Sequence, residues 1–182
     1  MGRIVITEFV SLDGVMEEPR WTFDFNRGAE GDKFKLDELF AADAMLLGRV
    51  TYQGFAQSWP SQTDEEGFAN RMNSMPKYVV SQTLTDADAA WQNSTVLRGD
   101  LVTEVKALRD STERDVLIHG SASLVHALIT EGLFDELRLM VFPVILGSGL
   151  RAFGTDKMQA KLALTSAASI NDGIMLLTYQ PR

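Results

Sequence analysis

The chain has 182 residues and a formal net charge of −8, with 45 % hydrophobic and 23 % charged residues. This composition is typical of a soluble globular protein, and we expect a single domain over residues 1–182. The negative charge argues against binding to nucleic acid or to an anionic membrane surface. The absence of cysteine excludes disulfides and thiolate metal sites, and with two histidines we expect no histidine-rich metal cluster.

The sequence lacks the segments that direct a chain into or across a membrane. No stretch reaches the roughly 18 uninterrupted apolar residues that a spanning helix needs. The N-terminal stretch MGRIVITEFVSLDG has no long apolar region followed by a small-residue cleavage site. We therefore expect a cytoplasmic protein that does not contact a membrane.

Apolar periodicity divides the chain into alternating strands and helices, which favours an α/β fold. Asp32 and Asp100 are the expected N-caps of two of the helices. In chain order, the pattern predicts a strand over residues 3–9, a loop-like segment over 10–31, a helix over 32–42, a strand over 44–47, helices over 49–57 and 65–75, strands over 77–81 and 94–97, a helix over 101–109, a strand ending at 118, a helix from 124 onward and a strand that runs to 143.

The end of the chain has a different pattern. Two apolar runs, over residues 162–170 and 174–180, are separated by Asn171, Asp172 and Gly173. An Asp-Gly turn between apolar runs is a strong signal for a β-hairpin. The chain is therefore expected to finish as two antiparallel strands on an otherwise mainly parallel sheet.

Three predicted strand-to-helix junctions share small, hydroxyl and hydrogen-bond-donating residues. A helix N-terminus presents unpaired backbone N–H groups, glycine allows a ligand to approach the backbone, and hydroxyls add donors. Each junction alone is better explained by relief of crowding at a glycine, by an N-cap serine or by a polar loop. In open α/β sheets, however, such junctions lie together outside the carboxyl ends of the strands, and jointly they predict an anion site. They hold Gly48, Arg49 and Thr51 in LLGRVTY, Ser81, Gln82 and Thr83 in VVSQTL, and Gly120, Ser121 and Ser123 in IHGSASL.

Four segments in order resemble the dihydrofolate reductase-like family that includes the reductase domain of bifunctional riboflavin-biosynthesis proteins. They are VITEFVSLDGVM, LLGRVTYQGF, KYVVSQTL and GSASLVHALITEGLFDELRLMVFPVILGSGLRAF, and together they cover nearly the whole chain. The resemblance implies a three-layer α/β sandwich with a central, mainly parallel sheet of about eight strands flanked by helices. It also implies an extended NADPH and hydride transfer to a C=N or C=O bond on a heterocycle or an opened sugar.

The resemblance further implies which residues contact the cofactor. Arg49 would supply a charge-assisted fork to a phosphate. Many relatives have a glycine pair at Gly120-Ser121 and an arginine at Gln82, so the preference between NADPH and NADH stays open. The implied contacts are Gly48, Arg49 and Thr51, adjoined by Leu47, for the adenosine-side phosphates; Ser81 and Gln82 for the ribose and its 2′-phosphate; and Gly120, Ser121, Ala122 and Ser123 for the pyrophosphate, with Leu124 behind them.

The proton donor is less clearly marked than the cofactor site. Asp13, in SLDG, matches a recurrent element of the riboflavin-type relatives, and its alternative role is that of a turn residue before Gly14. Dihydrofolate reductases use a carboxylate on the helix after the first loop. Glu30 is the candidate there, although neither it nor the nearby Asp24 and Asp32 lies in a recognisable match. We therefore name Asp13 and Glu30 as the catalytic candidates.

Aromatic and histidine residues give weaker signals. Trp21, Phe23 and Phe25 either form an aromatic wall for a flat ring or belong to a loop that packs on the core, and the second is favoured. His119 has no partner in the sequence that would make it catalytic. His126 lies off the apolar stripe of its helix and is expected to be solvated.

The specific candidate function is reduction of 5-amino-6-(5-phosphoribosylamino)uracil in riboflavin biosynthesis, within the broader class of NADPH-dependent reductases. The alternatives are a non-catalytic NADP(H)-binding protein and a dihydrofolate reductase-type enzyme that acts on a pterin. Residues 139–146, LMVFPVIL, have no regular polar alternation, so they form a strand buried on both faces or face a second subunit. Because relatives of this kind are often dimers, we expect a homodimer.

Overall fold

The fold is that of a computed structural model, which describes residues 1–154 and 158–182. Its helices are α1 (Gly28–Ala41), α2 (Arg49–Ser58), α3 (Phe68–Ser74), α4 (Leu101–Ser111) and α5 (Ala122–Thr130). Its strands are β1 (Ile4–Ser11), β2 (Ala42–Gly48), β3 (Lys77–Val80), β4 (Ser94–Leu97), β5 (Asp115–His119), β6 (Glu136–Phe142), β7 (Leu162–Ser169) and β8 (Met175–Pro181).

The strands form one sheet in the order β4-β3-β2-β5-β1-β6-β8-β7. All neighbours from β4 to β6 are parallel, and β8 is antiparallel to both β6 and β7. At the hairpin turn, Asp172 and Gly173 have φ angles of 55° and 73°, which is the left-handed backbone that an Asp-Gly turn supplies. The predicted mainly parallel sheet and its C-terminal hairpin are both confirmed.

Helices cover both faces of the sheet, so the fold has three layers. Ile4 and Ile6 of β1 face a core that α4 and α5 close, whereas Val5 between them faces a core closed by α1, α2 and α3. Leu46 and Leu47 of β2 are divided between the two cores in the same way. The central strands are continuous apolar runs because side chains on both faces are buried.

Two helix starts test the N-caps expected from the sequence. The Asp100 carboxylate accepts the Thr103 backbone N–H at 3.0 Å, so this cap is confirmed. Asp32 is not a cap, because α1 begins at Gly28 and Asp32 instead accepts the Arg27 Nε–H at 2.5 Å. The N-cap position is held by Arg27, whose side chain makes no capping bond, and the Asn26 side chain accepts the Gly28 N–H at 2.9 Å just before it. The helix therefore starts earlier than predicted, which shortens the predicted loop.

Ion pairs connect the amino ends of the central strands. Arg3 donates to both oxygens of Asp115 at 2.8 Å, and Arg138 lies 2.6 Å from Glu136. These ion pairs join the beginnings of β1, β5 and β6 on the face beneath α1. The described part of the chain contains no helix long and apolar enough to span a membrane.

Candidate functional site

The carboxyl ends of neighbouring parallel strands bring the three predicted junctions to one edge of the sheet. The order β3-β2-β5 places Ser81, Gly48 and Gly120 in a row, each at or just after the end of its strand. Because adjacent strands lie about 4.8 Å apart, this row is roughly 10 Å long. The structure therefore brings together residues that lie more than seventy positions apart in the chain.

Ser121 joins two of these junctions through its side chain. Its hydroxyl oxygen accepts the Gly48 backbone N–H at 2.9 Å and donates to Thr51 Oγ1, also at 2.9 Å. Ser121 stands at the N-cap position of α5, but its side chain makes no capping bond, so the explanation of Ser121 as only an N-cap is wrong. A Cβ atom on Gly48 would collide with this hydroxyl, so the crowding explanation holds for that glycine.

The turn between β5 and α5 has an unusual backbone. Gly120 and Ser121 have φ angles of 61° and 67°, so two consecutive residues are left-handed, and only the first is a glycine. Ala122 and Ser123 follow in the first turn of α5, and Leu124 is buried behind them. Backbone N–H groups at a turn of this kind and at the start of a helix are donors that hold anions in other proteins.

Arg49 and Ser81, which are also predicted to contact the cofactor, make hydrogen bonds within the protein. Arg49 is exposed and donates to the Gln53 side chain at 3.1 Å, which leaves the rest of the guanidinium open to solvent. The Ser81 hydroxyl accepts the backbone N–H groups of Thr83 and Leu84, and so holds the loop that follows β3.

The side-chain positions of Gln82 and Leu47 limit how these two residues could contact the cofactor. Gln82 is exposed and donates to the Arg98 carbonyl at 2.8 Å. Leu47 is 0 % exposed, so it could meet a ligand only through its backbone.

Three buried polar atoms have no hydrogen-bond partner among the described residues: Glu8 Oε1, His119 Nε2 and Glu38 Oε2. Glu8 and His119 border Gly120 across β1 and along β5. Because Thr7 is in register with His119, the side chains of Glu8 and His119 lie on opposite faces of the sheet. Burial raises the pKa of Glu8 to about 8, against the opposing effects of the Lys35 charge and the Gly120 N–H. Because buried polar atoms without a partner are rare in proteins, each of these atoms is a candidate contact for a polar ligand.

The sequence analysis did not predict a role for Glu8 or His119, although the sequence around each residue marks it as unusual. Glu8 interrupts the otherwise apolar and β-branched run IVITEFVS, and His119 is the last residue of a buried strand. Burial lowers the pKa of His119 well below its usual value, and the nearby Lys35 charge adds to this, so the imidazole is neutral at pH 7. His126, expected to be solvated, is half-buried with Nε2 3.0 Å from the Arg151 carbonyl oxygen, so that expectation is wrong.

A buried lysine lies on the α1 side of the same strands. Lys35 is 6 % exposed, pairs with Glu38 one turn further along α1, and donates to Thr7 Oγ1 at 3.2 Å. Its ammonium also lies 4.9 Å from the centre of the Phe9 ring. The sequence pattern did not indicate this cluster, because a lysine and a glutamate three apart are ordinary on an exposed helix face.

An aromatic cluster adjoins Lys35. Phe9, Trp21 and Phe25 each stand edge-on to Phe142, with ring centroids 5.5–5.6 Å apart. Trp21 and Phe25 thus pack on the core, as the favoured alternative expected, whereas Phe23 is 85 % exposed. A cavity of about 290 Å³ opens beside this cluster, lined by Phe9, Thr22, Phe23, Phe25, Asn26, Arg27, Asp32 and Phe142.

Asp13 connects the first loop to the loop after β6. Its carboxylate accepts the Ser11 hydroxyl at 2.7 Å and the backbone N–H groups of Leu146 and Gly147 at 3.1 and 2.9 Å. These bonds, that from Ser11 first, lower the pKa of Asp13 to about 2, so the group is ionised at neutral pH. Glu30 lies exposed in the first turn of α1. The catalytic roles of Asp13 and Glu30 stay predictions.

The sequence matches the model of a known protein family. The family model described as the RibD C-terminal domain matches residues 3–176. The chain is 28 % identical over 180 residues to the uncharacterized protein YyaP of Bacillus subtilis (strain 168), covering 97 % of this chain and 94 % of YyaP. It is 24 % identical over 169 residues to YwjB of the same organism, covering 92 % and 91 % of the two chains.

Solved structures share the fold. A riboflavin biosynthesis protein from Shewanella sp. PV-4 matches with a TM-score of 0.81 at 20 % identity, over 99 % of both chains. Dihydrofolate reductase from Enterococcus faecalis, complexed with NADP(H), matches with a TM-score of 0.63 at 14 % identity, over 99 % of this chain and 96 % of its own. RibD of Acinetobacter baumannii matches with a TM-score of 0.68 at 18 % identity, and there this chain spans 58 % of the longer protein. The expected dihydrofolate reductase-like fold is confirmed.

Proposed function

Because the chain belongs to the RibD C-terminal domain family, we propose that it is an NADPH-dependent reductase that transfers hydride to a C=N or C=O bond of a small heterocyclic substrate. A ribosylaminopyrimidine of the riboflavin pathway is the specific candidate. The observation that carries the proposal is the convergence of three donor-rich junctions at one sheet edge, with Ser121 bonded to both Gly48 and Thr51. An extended dinucleotide would lie along a row of this kind at the ends of parallel strands.

The residues at this edge fit the phosphates of the cofactor. Arg49 would bind the adenosine-side phosphates through its open guanidinium, and the left-handed turn at Gly120 and Ser121 would hold the pyrophosphate. At Gly48 the missing side chain makes room for the Ser121 hydroxyl, which ties this junction to the Gly120 turn. With these groups at one end, the nicotinamide end would lie toward β1, on the face that carries Thr7, Phe9 and His119.

When bound, NADPH would supply the hydride, and the protein would provide orientation, a dry pocket and a proton. Lys35 is the cation nearest to this end of the site, buried between Thr7 and the Phe9 ring. We propose that its ammonium orients the polar atom of the substrate bond that is reduced, while the aromatic residues around Phe142 exclude water. Asp13 would hold the loop over residues 144–151 beside the substrate opening through the Leu146 and Gly147 N–H groups.

The contacts of α1 bear on the alternative of a pterin reductase. Such an enzyme uses a carboxylate on this helix, and Glu38 is the buried carboxylate of α1. Glu38 is paired with Lys35, and its Oε2 lies 3.6 Å from Arg138 but has no hydrogen-bond partner among the described residues. Glu38 therefore stays a candidate for that carboxylate, and the choice of substrate decides between the two functions.

The other alternative is an NADP(H)-binding protein without catalysis. The contacts of Asp13 favour it, because a carboxylate with a pKa of about 2 that holds a loop does not donate a proton at pH 7. The two functions differ in one measurable outcome: a non-catalytic protein binds NADPH without oxidising it.

The test is consumption of NADPH by the purified protein in the presence of a ribosylaminopyrimidine, dihydrofolate or a simple quinone. Oxidation with the ribosylaminopyrimidine supports the specific proposal, and oxidation with a quinone alone supports only the broader one. Binding without oxidation of any of these compounds would favour the non-catalytic alternative.

We also propose that the chain forms a homodimer with an isologous interface. β7 is an edge strand whose residues from Leu164 to Ser169 are exposed on both faces, and Leu164 itself is 54 % exposed. Exposed edges of this kind are usually covered or blocked in stable proteins. In the segment 139–146, the part within β6 is largely buried in the sheet, whereas Ile145 beyond it is 72 % exposed. A monomeric mass by light scattering at micromolar concentration would contradict the dimer.

A further inference from the structure

Glu8 lies on β1, next to the β5 end of the row of junctions that would hold the cofactor. In β1 it follows Thr7, which is in register with His119 of β5, so Glu8 is level with the Gly120 turn. It is 5 % exposed, and its Oε1 has no hydrogen-bond partner in the part of the chain that the structure describes. By strand alternation it shares a face with Ile6 and Val10, the face that packs against α5. An acid side chain is thus buried beneath the turn that would bind the pyrophosphate.

The surroundings of Glu8 do not offer it a dedicated cation. From α1, Lys35 acts on it, but Lys35 is already paired with Glu38, whose charge opposes. On β5 the adjacent His119 is neutral, and on β6 the residue in register is Leu139. The first turn of α5, residues 122–125, carries no charged side chain. Burial therefore dominates and favours the protonated acid, consistent with a pKa of about 8.

An anion at the turn would add to this effect. The Gly120 N–H acts on the Glu8 carboxylate, and it is also one of the donors proposed for the pyrophosphate. Two anions that share one donor in a buried site repel each other, whereas a neutral carboxyl group can itself donate a hydrogen bond. A neutral Glu8 would donate this hydrogen bond to the anion, and its unpaired oxygen would then have a partner.

We propose that Glu8 is a cofactor-site residue that meets the bound dinucleotide as a neutral carboxylic acid, so that NADPH binding is coupled to protonation of Glu8. The inference rests on the proposed function, because it requires a dinucleotide at the Gly120 turn. Where Glu8 is ionised in the free protein, binding takes up one proton from solvent. The affinity for NADPH then falls by up to about tenfold for each pH unit above the point at which Glu8 ionises.

The test measures the dissociation constant of NADPH at pH 7.5 and pH 9 for the wild type and for Glu8→Gln, by isothermal titration calorimetry. The amide keeps the size of the acid but does not ionise. Between the two pH values, the wild-type constant should rise about tenfold more than that of Glu8→Gln. Glu131→Gln, at an exposed carboxylate beyond the far end of α5, is the matched control and should follow the wild type.

A second measurement needs only the wild type, and so does not depend on the folding of the variant. Calorimetry at pH 8.5 in buffers of different ionisation enthalpy should show uptake of most of one proton for each NADPH bound. Binding with no proton uptake, or with the same pH profile in Glu8→Gln and wild type, overturns the inference and leaves the proposed function standing. Failure of the wild type to bind NADPH at any pH overturns both.

Discussion

The Ser121 hydroxyl lies 2.9 Å from the backbone nitrogen of Gly48, and this contact fixes the start of α5 against the start of α2. The two residues are 73 positions apart, on the turns after β5 and β2. Because β2 and β5 are neighbours in the sheet, both turns emerge at the same edge. The bond therefore sets the distance between two of the junctions to which the cofactor would bind.

Replacing Ser121 by alanine should weaken both the fold and the cofactor site. The Gly48 N–H loses its acceptor, and an unpaired buried donor costs about 1–3 kcal/mol in the free energy of unfolding. Denaturant unfolding and an NADPH titration measure the two effects. Ser61→Ala, at an exposed position beyond the end of α2, is the control and should change neither. Equal stability of Ser121→Ala and wild type would show that the contact does not hold the junctions together.

Arg49→Ala should weaken NADPH binding while leaving stability almost unchanged. The side chain is exposed, and within residues 1–154 and 158–182 its side-chain hydrogen-bond partner is Gln53. Loss of a charge-assisted bond to a phosphate should cost about 1.5–3 kcal/mol of binding free energy, or roughly 10- to 150-fold in affinity. Arg182→Ala, at the C-terminus, removes the same charge away from the site and should bind like the wild type. Unchanged affinity in folded Arg49→Ala would place the phosphate elsewhere.

Glu8 should make stability depend on pH in the absence of any ligand. Its pKa is raised from 4.5 to about 8 by burial, so the folded protein binds more protons than the unfolded chain between these values. The stability that Glu8 contributes is fully present below pH 4.5 and is lost as the pH rises through 8. Relative to Glu8→Gln, the wild type should lose on the order of 4 kcal/mol of unfolding free energy between pH 5 and pH 9. Parallel urea titrations of the two proteins measure this, and an identical pH dependence would contradict it.

Asp13→Asn should leave NADPH binding within about twofold of the wild type but release the loop over residues 144–151. The amide accepts hydrogen bonds less strongly than the carboxylate that now holds the Leu146 and Gly147 N–H groups. Hydrogen exchange at these two amides should become faster, and turnover should fall by at least about 100-fold if Asp13 orients substrate. Unchanged exchange and turnover would leave Asp13 as a turn residue with no part in function.

The layout of the sheet could be predicted because its signals are local. Apolar runs such as residues 116–118 marked the buried strands, and Asp172-Gly173 marked the hairpin. The start of α1 was misplaced because its N-cap is Arg27, which makes no side-chain capping bond and is not a residue type that marks a cap. A cap is chosen by backbone geometry, which residue type alone does not determine.

The candidate site was predictable only as a set of junctions. Residue types and the family resemblance indicated Gly48, Arg49 and the Gly120 turn, and parallel topology brought them together. The buried polar groups Glu8 and Lys35 were missed because their environment depends on strand register and on helix packing between distant segments. Burial converts an ordinary charged residue into one with a shifted pKa, and a sequence pattern does not report burial for each residue.

Thermal unfolding with and without NADPH tests the central claim most directly. A ligand that binds only the folded state stabilises it by about 2.7 kcal/mol at a concentration one hundred times its dissociation constant. Millimolar NADPH should therefore raise the melting temperature of the wild type, and should raise that of Arg49→Ala less. No shift with either NADPH or NADH would contradict both the reductase and the non-catalytic dinucleotide-binding function.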